Sequence, residues 1–210
     1  MEKIILSFEE ALLSLDRLRI KELIEQATKN DTNIQVVEKL VVPALEKIGA
    51  GWQNGDIALS QVYMSGRICE ELIDEILPAK SPDRKSQPKM AIAALDDYHL
   101  LGKRIVYSVL RSSGFELQDY GRQNSESMVK KAIEDEIRIL LVSTLMLPSA
   151  LAIKDLRNQF NEKQVSIKIV VGGAPFLFDS NLWKEVGADA MGKNASESVV
   201  LVSKIMGDLS

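Results

Sequence analysis

The sequence is poor in the residues that usually announce a site. It has one cysteine, Cys69, so no internal disulfide can form. Cys69 lies in a strongly helical stretch and reads as a small packed side chain. It has one histidine, His99. No apolar run approaches the ~20 residues needed to cross a bilayer, so no membrane association is expected. The opening Met1-Glu2-Lys3-Ile4-Ile5-Leu6-Ser7 is too short in apolar residues for a signal peptide. These absences together point to the cytoplasm. An excess of positive charge is also missing. Lys and Arg number 26 against 30 Asp and Glu, a net charge of -4, and the two signs are interspersed. A duplex-binding surface needs a basic patch, so nucleic acid is not an expected partner.

What is present suits a globular fold. The 210 residues are 46% hydrophobic and 27% charged, enough for one large domain or two small ones. Residues 1–80 show helical periods only and read as a helical bundle. Ser7-Phe8-Glu9-Glu10 has the form of a capping box, with Leu12, Leu15, Leu18, Leu23, Ile24 and Ala27 following at helical spacing. A second helix is expected over 34–49, bent at Pro43, then a break over Gly51–Gly55, then a helix over 61–77. Residues 81–88, within the Pro-rich stretch from Pro78 to Pro88, read as a linker.

Residues 89–210 alternate. Strands are expected at 89–95, 115–119, 137–144, 166–171 and 188–191. Helices are expected at 102–113, 125–136, 148–161, 181–186 and 196–206. Such alternation with continuous apolar strands implies a parallel sheet covered on both faces, a five-stranded flavodoxin-like doubly wound fold. The fold class is therefore α plus α/β. Ligands of such folds sit at the carboxyl ends of the strands. Three loops meet there: Asp96-Asp97-Tyr98-His99-Leu100-Leu101-Gly102, Ser143-Thr144-Leu145-Met146-Leu147-Pro148-Ser149, and Gly172-Gly173-Ala174-Pro175.

The first loop lacks the Gly-x-Gly-x-x-Gly that cradles a dinucleotide. Asp96-Asp97 resembles the acid pair of a phosphoacceptor receiver domain, but the third strand ends in Ser143 where the acceptor aspartate should stand. The loop order instead resembles the cobalamin-binding domain of methionine synthases and of the corrinoid proteins of anaerobic methyltransferase and O-demethylase systems. That family carries Asp-x-His-x-x-Gly, Ser-x-Leu and Gly-Gly. Asp97, His99 and Gly102 match the first, Ser143 and Leu145 the second, and Gly172-Gly173 the third. In the helical half, Gly49 to Gly55 and Leu59-Ser60-Gln61-Val62 are similar to the family's cap segments. Leu100-Leu101-Gly102-Lys103-Arg104 departs from the usual Asp-Ile-Gly-Lys-Asn after the histidine, which marks a divergent member.

The resemblance implies cobalamin, as methylcobalamin or Co(I) cobalamin, with His99 as the lower ligand to cobalt. Asp97 would accept the other ring N–H, fixing the tautomer and strengthening the donor. Ser149 would continue that relay. Ser143 would bond the displaced benzimidazole, and Gly102, Gly172 and Gly173 would leave room for its tail. Tyr98, Leu100, Leu101, Leu145 and Met191 would line the cofactor. Trp52 and Leu59 would shelter the methyl group. The function implied is a non-catalytic methyl-carrier subunit. Its implied partners are a methyl-donor methyltransferase, a methyl-acceptor methyltransferase such as one using tetrahydrofolate, and a reductive activator protein. The rival from another class is a cobalamin-dependent sensor. Light-sensing relatives carry Glu-His where Val62-Tyr63 stands here.

Overall fold

The computed structural model describes residues 2–76 and 87–209. Residues 81–86 of the expected linker lie outside them. The chain divides into two units, Met1–Leu77 and Pro78–Ser210.

The first unit is helical. Helix α1 spans Glu2–Leu13 and α2 spans Arg17–Thr28. Ser7 therefore lies inside α1 and caps nothing. Half-buried Ile4 and Ile5 continue the apolar stripe of buried Phe8, Ala11 and Leu12, which carries the helix upstream of the expected box. The working cap is Asp16, whose side chain accepts from the Arg19 N–H at 3.0 Å. Leu15 turns the chain between the two helices with a left-handed φ of 58°. The short α3 (Asn33–Val36) leads through a π-helical turn (Val37–Val41) into α4 (Val42–Gln53). Pro43 cannot donate to Lys39, and the π turn absorbs that lost bond: the Val42 N–H reaches back to the Val37 carbonyl. The expected break at Gly51 is absent. The Ile57 side chain lies 2.6 Å from where a Gly51 Cβ would stand, so this glycine permits close packing and the chain turns only at Gly55. Helix α5 (Leu59–Ile76) completes the unit. Phe8, Leu12, Ile20, Val37, Ile48 and Ile68 form its core.

The second unit is a parallel sheet of order β2-β1-β3-β4-β5. Its strands are β1 (Met90–Leu95), β2 (Gln118–Gln123), β3 (Ile139–Ser143), β4 (Lys168–Gly172) and β5 (Ala190–Gly192). Its helices are α6 (Leu101–Ser112), α7 (Ser125–Glu134), α8 (Leu147–Leu151), α9 (Ile153–Glu162), α10 (Ala174–Phe178), α11 (Leu182–Glu185) and α12 (Ala195–Leu209). The doubly wound architecture is as expected. One face of the sheet packs Ala91, Leu140 and Ile169 against Met128 of α7 and Leu156 and Phe160 of α9. The other packs Ile92, Leu141 and Val170 against Leu110 of α6 and Val202 of α12. Each large side chain fully buried in this way stabilises the fold by about 1.5–3 kcal/mol.

Strand β2 begins three residues later than expected. Phe115 and Leu117 are buried but form the approach. The strand itself is an edge strand of mostly polar residues, so its apolar signal is weak. The helix expected over 148–161 is two helices parted at Ala152, and α10 was not foreseen.

Candidate functional site at the carboxyl ends of the strands

Strands β1, β3 and β4 end level. Ala94 pairs with Ser143, Ser143 with Gly172, and Gly172 with Gly192. The three loops therefore start side by side. Beyond Leu95 the chain turns at Asp96, which holds a left-handed φ of 47°. Asp97 follows and is buried, 3% exposed.

The Asp97 carboxylate organises the loops. Its Oδ1 accepts the His99 backbone N–H at 3.0 Å and lies 2.9 Å from His99 Nδ1. Its Oδ2 accepts the backbone N–H groups of Leu145 at 2.7 Å and Met146 at 3.2 Å. Burial by itself would raise the pKa of this group. The donors from His99 and Leu145 more than offset that and hold the carboxyl below its ordinary value. An ionised Asp97 can only accept, so Nδ1 carries a proton, and in the neutral ring the lone pair then lies on Nε2. The His99 side chain is 60% exposed. The arrangement is an imidazole with one nitrogen tied to a fixed carboxylate, which leaves the other for a metal.

The Ser149 hydroxyl makes a long 3.4 Å contact to the Asp96 carbonyl, and the Leu145 and Met146 amides occupy Asp97 Oδ2. A Cβ on Gly173, whose φ is 121°, would fall 1.7 Å from the Thr144 carbonyl oxygen, and one on Gly172 would lie 3.2 Å from the Gly192 carbonyl. Both positions are small because backbones meet there. Gly102 faces the Ser143 hydroxyl, 3.5 Å from where its Cβ would stand. Tyr98 is 78% exposed, with the Arg122 guanidinium 3.8 Å over its ring. Leu100 precedes α6, and Leu101 opens it. Leu145 is exposed, and Met191 packs against the α7–α9 side of the core from β5. Trp52 and Leu59 are exposed in the helical unit.

A B12 binding domain family matches residues 89–200, and a second B12 binding domain family matches residues 5–77. This chain belongs to the B12-binding corrinoid proteins. It is similar to a corrinoid protein of Desulfitobacterium hafniense, 28% identical over 209 residues and covering 95% of each chain. It is 32% identical to a monomethylamine corrinoid protein of Methanosarcina acetivorans, over 82% of this chain and 83% of that one. Among solved structures, the monomethylamine corrinoid protein of Methanosarcina barkeri superposes with a TM-score of 0.85 at 26% identity, over 98% of this chain and 99% of that one.

The residues of this corrinoid protein fit the cofactor's chemistry. Among the described residues no three His, Cys, Asp or Glu side chains gather as a metal cage. A single oriented imidazole would suit a metal whose remaining ligands a macrocycle already supplies. At the same rim the Thr144 hydroxyl is buried with no hydrogen-bond partner among the described residues, a polar group left for something to satisfy. Sequence reasoning missed Thr144, and it missed the two amides that anchor Asp97. An amide belongs to every residue but proline, so no side-chain motif could have marked it. No helix among the described residues is long and apolar enough to cross a membrane.

Proposed function

We propose that this protein is a methyl carrier in which His99 ligates the lower face of a bound cobalamin through Nε2. The observation that carries the proposal is the 2.9 Å contact between His99 Nδ1 and an Asp97 that is itself anchored to the next loop. When bound, the corrinoid supplies the bond chemistry, its cobalt acting as nucleophile toward one methyl group and as leaving group for the next. The chain's own residues bind and orient. Asp97 fixes the tautomer of His99 and stabilises positive charge on the ring, which makes it a better donor. Ser143, at the end of β3 and beside Gly102, is assigned to the cofactor's displaced base. Trp52 and Leu59, two exposed apolar side chains of the helical unit, are assigned by the family resemblance to shelter the methyl group.

The chain is a non-catalytic corrinoid subunit. A methyl-donor methyltransferase and a methyl-acceptor methyltransferase act on it in turn, and a reductive activator restores it after stray oxidation. These partners and a cytoplasmic location belong to the proposal. The test is reconstitution with hydroxocobalamin. Wild type should hold the colour through gel filtration, and His99→Ala should shift the absorption spectrum and lose cofactor more readily. Identical spectra for the two proteins would dispose of His99 ligation.

A further inference from the structure

The loop that carries His99 is held on two sides. Asp97 ties it to β3. On the other side, the Asp96 N–H donates to the Gln123 carbonyl at 2.8 Å, extending the β1–β2 ladder past the end of β1. Two residues further along, Tyr98 lies under the guanidinium of Arg122. That contact depends on a slip in the sheet. Ile92 pairs with Asp119 but Ala94 pairs with Arg122, so β2 carries one residue more than β1 across this interval. Side chains alternate between the faces of a strand, and one extra residue reverses the face of everything beyond it. Gly121 makes the slip possible with a φ of 65°.

The slip is itself braced. The Asp119 carboxylate accepts the Gly121 N–H at 2.8 Å and takes the Lys103 ammonium on both oxygens. Lys103 comes from the first turn of α6 and is only 2% exposed. Burying an ammonium requires such a partner. The α6 turn after the ligand loop and the β2 bulge beneath Arg122 are thus fastened to each other.

We propose that Arg122, aimed by the bulge, is a positioning residue that clamps Tyr98 and so holds the neighbouring His99 in the attitude that meets the metal. The proposal rests on the reading of His99 as ligand. It also reassigns Tyr98: at least one face of its ring serves the arginine.

Two measurements on the full chain test it. The first needs no cofactor. Amide exchange over residues 96–101 should quicken severalfold in Arg122→Ala and in Tyr98→Ala, and should stay near wild type in Tyr98→Phe, which keeps the ring. Gly121→Val should quicken it as well, although Arg122 remains, because the bulge cannot keep its left-handed turn. The second uses protein loaded with Co(II) cobalamin. The fraction showing nitrogen splitting in the electron paramagnetic resonance spectrum reports His99 bound to cobalt. The ratio of bound to unbound should fall about twofold to fivefold in either alanine variant, the factor a cation over an exposed ring supplies. Arg122→Lys should restore part of it, and the double alanine variant should fall no further than the single ones. Wild-type exchange and wild-type splitting in Arg122→Ala would overturn the clamp, as would fully additive losses in the double variant. A wild type with no nitrogen splitting, or splitting that survives His99→Ala, would instead remove the ligand reading, and the exchange measurement would still judge the clamp.

Discussion

A carboxylate has lone pairs for about four donors, and Asp97 uses both oxygens in a buried position. Asp97→Asn keeps the shape but turns one oxygen into a donor that must face an amide or the His99 ring. A buried donor left without a partner costs about 1–3 kcal/mol, and denaturant unfolding of the cofactor-free variant should show a loss of that size at neutral pH. The sign of the acid dependence follows from the lowered pKa. The folded chain releases the Asp97 proton more readily than the unfolded chain, so its stabilisation is complete above the ordinary aspartate value of 3.8 and is lost as pH falls through the lower, folded value. The gap between wild type and Asp97→Asn should therefore be flat near neutrality and narrow below that value; a gap widening in acid would contradict it. At this scale the sequence was legible where chemistry resides in side-chain identity. His99 and Asp97 could be named because they stand in the Asp-x-His-x-x-Gly pattern of the family the sequence resembles. The Leu145 and Met146 amides that hold Asp97 were not legible, because a backbone donor leaves no trace in residue type.

At the scale of elements, the level strand ends explain why glycine stands where it does. Gly173→Ala places a methyl group on the Thr144 carbonyl and forces a side chain into left-handed backbone. Strain of that kind costs about 1–3 kcal/mol before any displacement of β3 from β4. The variant should unfold earlier and lose cobalamin on gel filtration, while Gly172→Ala, facing only a 3.2 Å approach to Gly192, should be milder. Equal behaviour of the two would show that the Thr144 approach is relieved cheaply. The buried strands were easy to find because apolar residues run unbroken through β1, β3 and β4. The polar edge strand β2 was displaced, and its bulge was invisible, because a register slip is a relation between two strands and belongs to neither sequence alone. The Ser7 box failed for a related reason: a capping pattern competes with the apolar stripe running through it, and the stripe of half-buried Ile4 and Ile5 and buried Phe8 prevailed.

For the whole molecule, the two tryptophans fall one in each unit: Trp52 in the helical unit and Trp183, partly buried against the core, in the sheet unit. A ligand that binds only the folded state stabilises it by about 2.7 kcal/mol at a hundred times its dissociation constant. With fluorinated tryptophan followed by 19F resonance, the Trp183 transition should move to higher denaturant when cobalamin is added. If Trp52 and Leu59 shelter the cofactor, the Trp52 transition should move as well. A Trp52 transition indifferent to cobalamin would take the helical unit out of the binding reaction.

Pairing between β1 and β3, and between β3 and β4, joins segments far apart along the chain, and parallel pairing of that kind forms slowly. Asp97 cannot find the Leu145 and Met146 amides until β1 and β3 are in register. The cofactor accordingly has nothing to recognise on a half-made chain and cannot template its own seat. In refolding, colour should lag behind burial, and extra cobalamin should leave the rate of collapse unchanged.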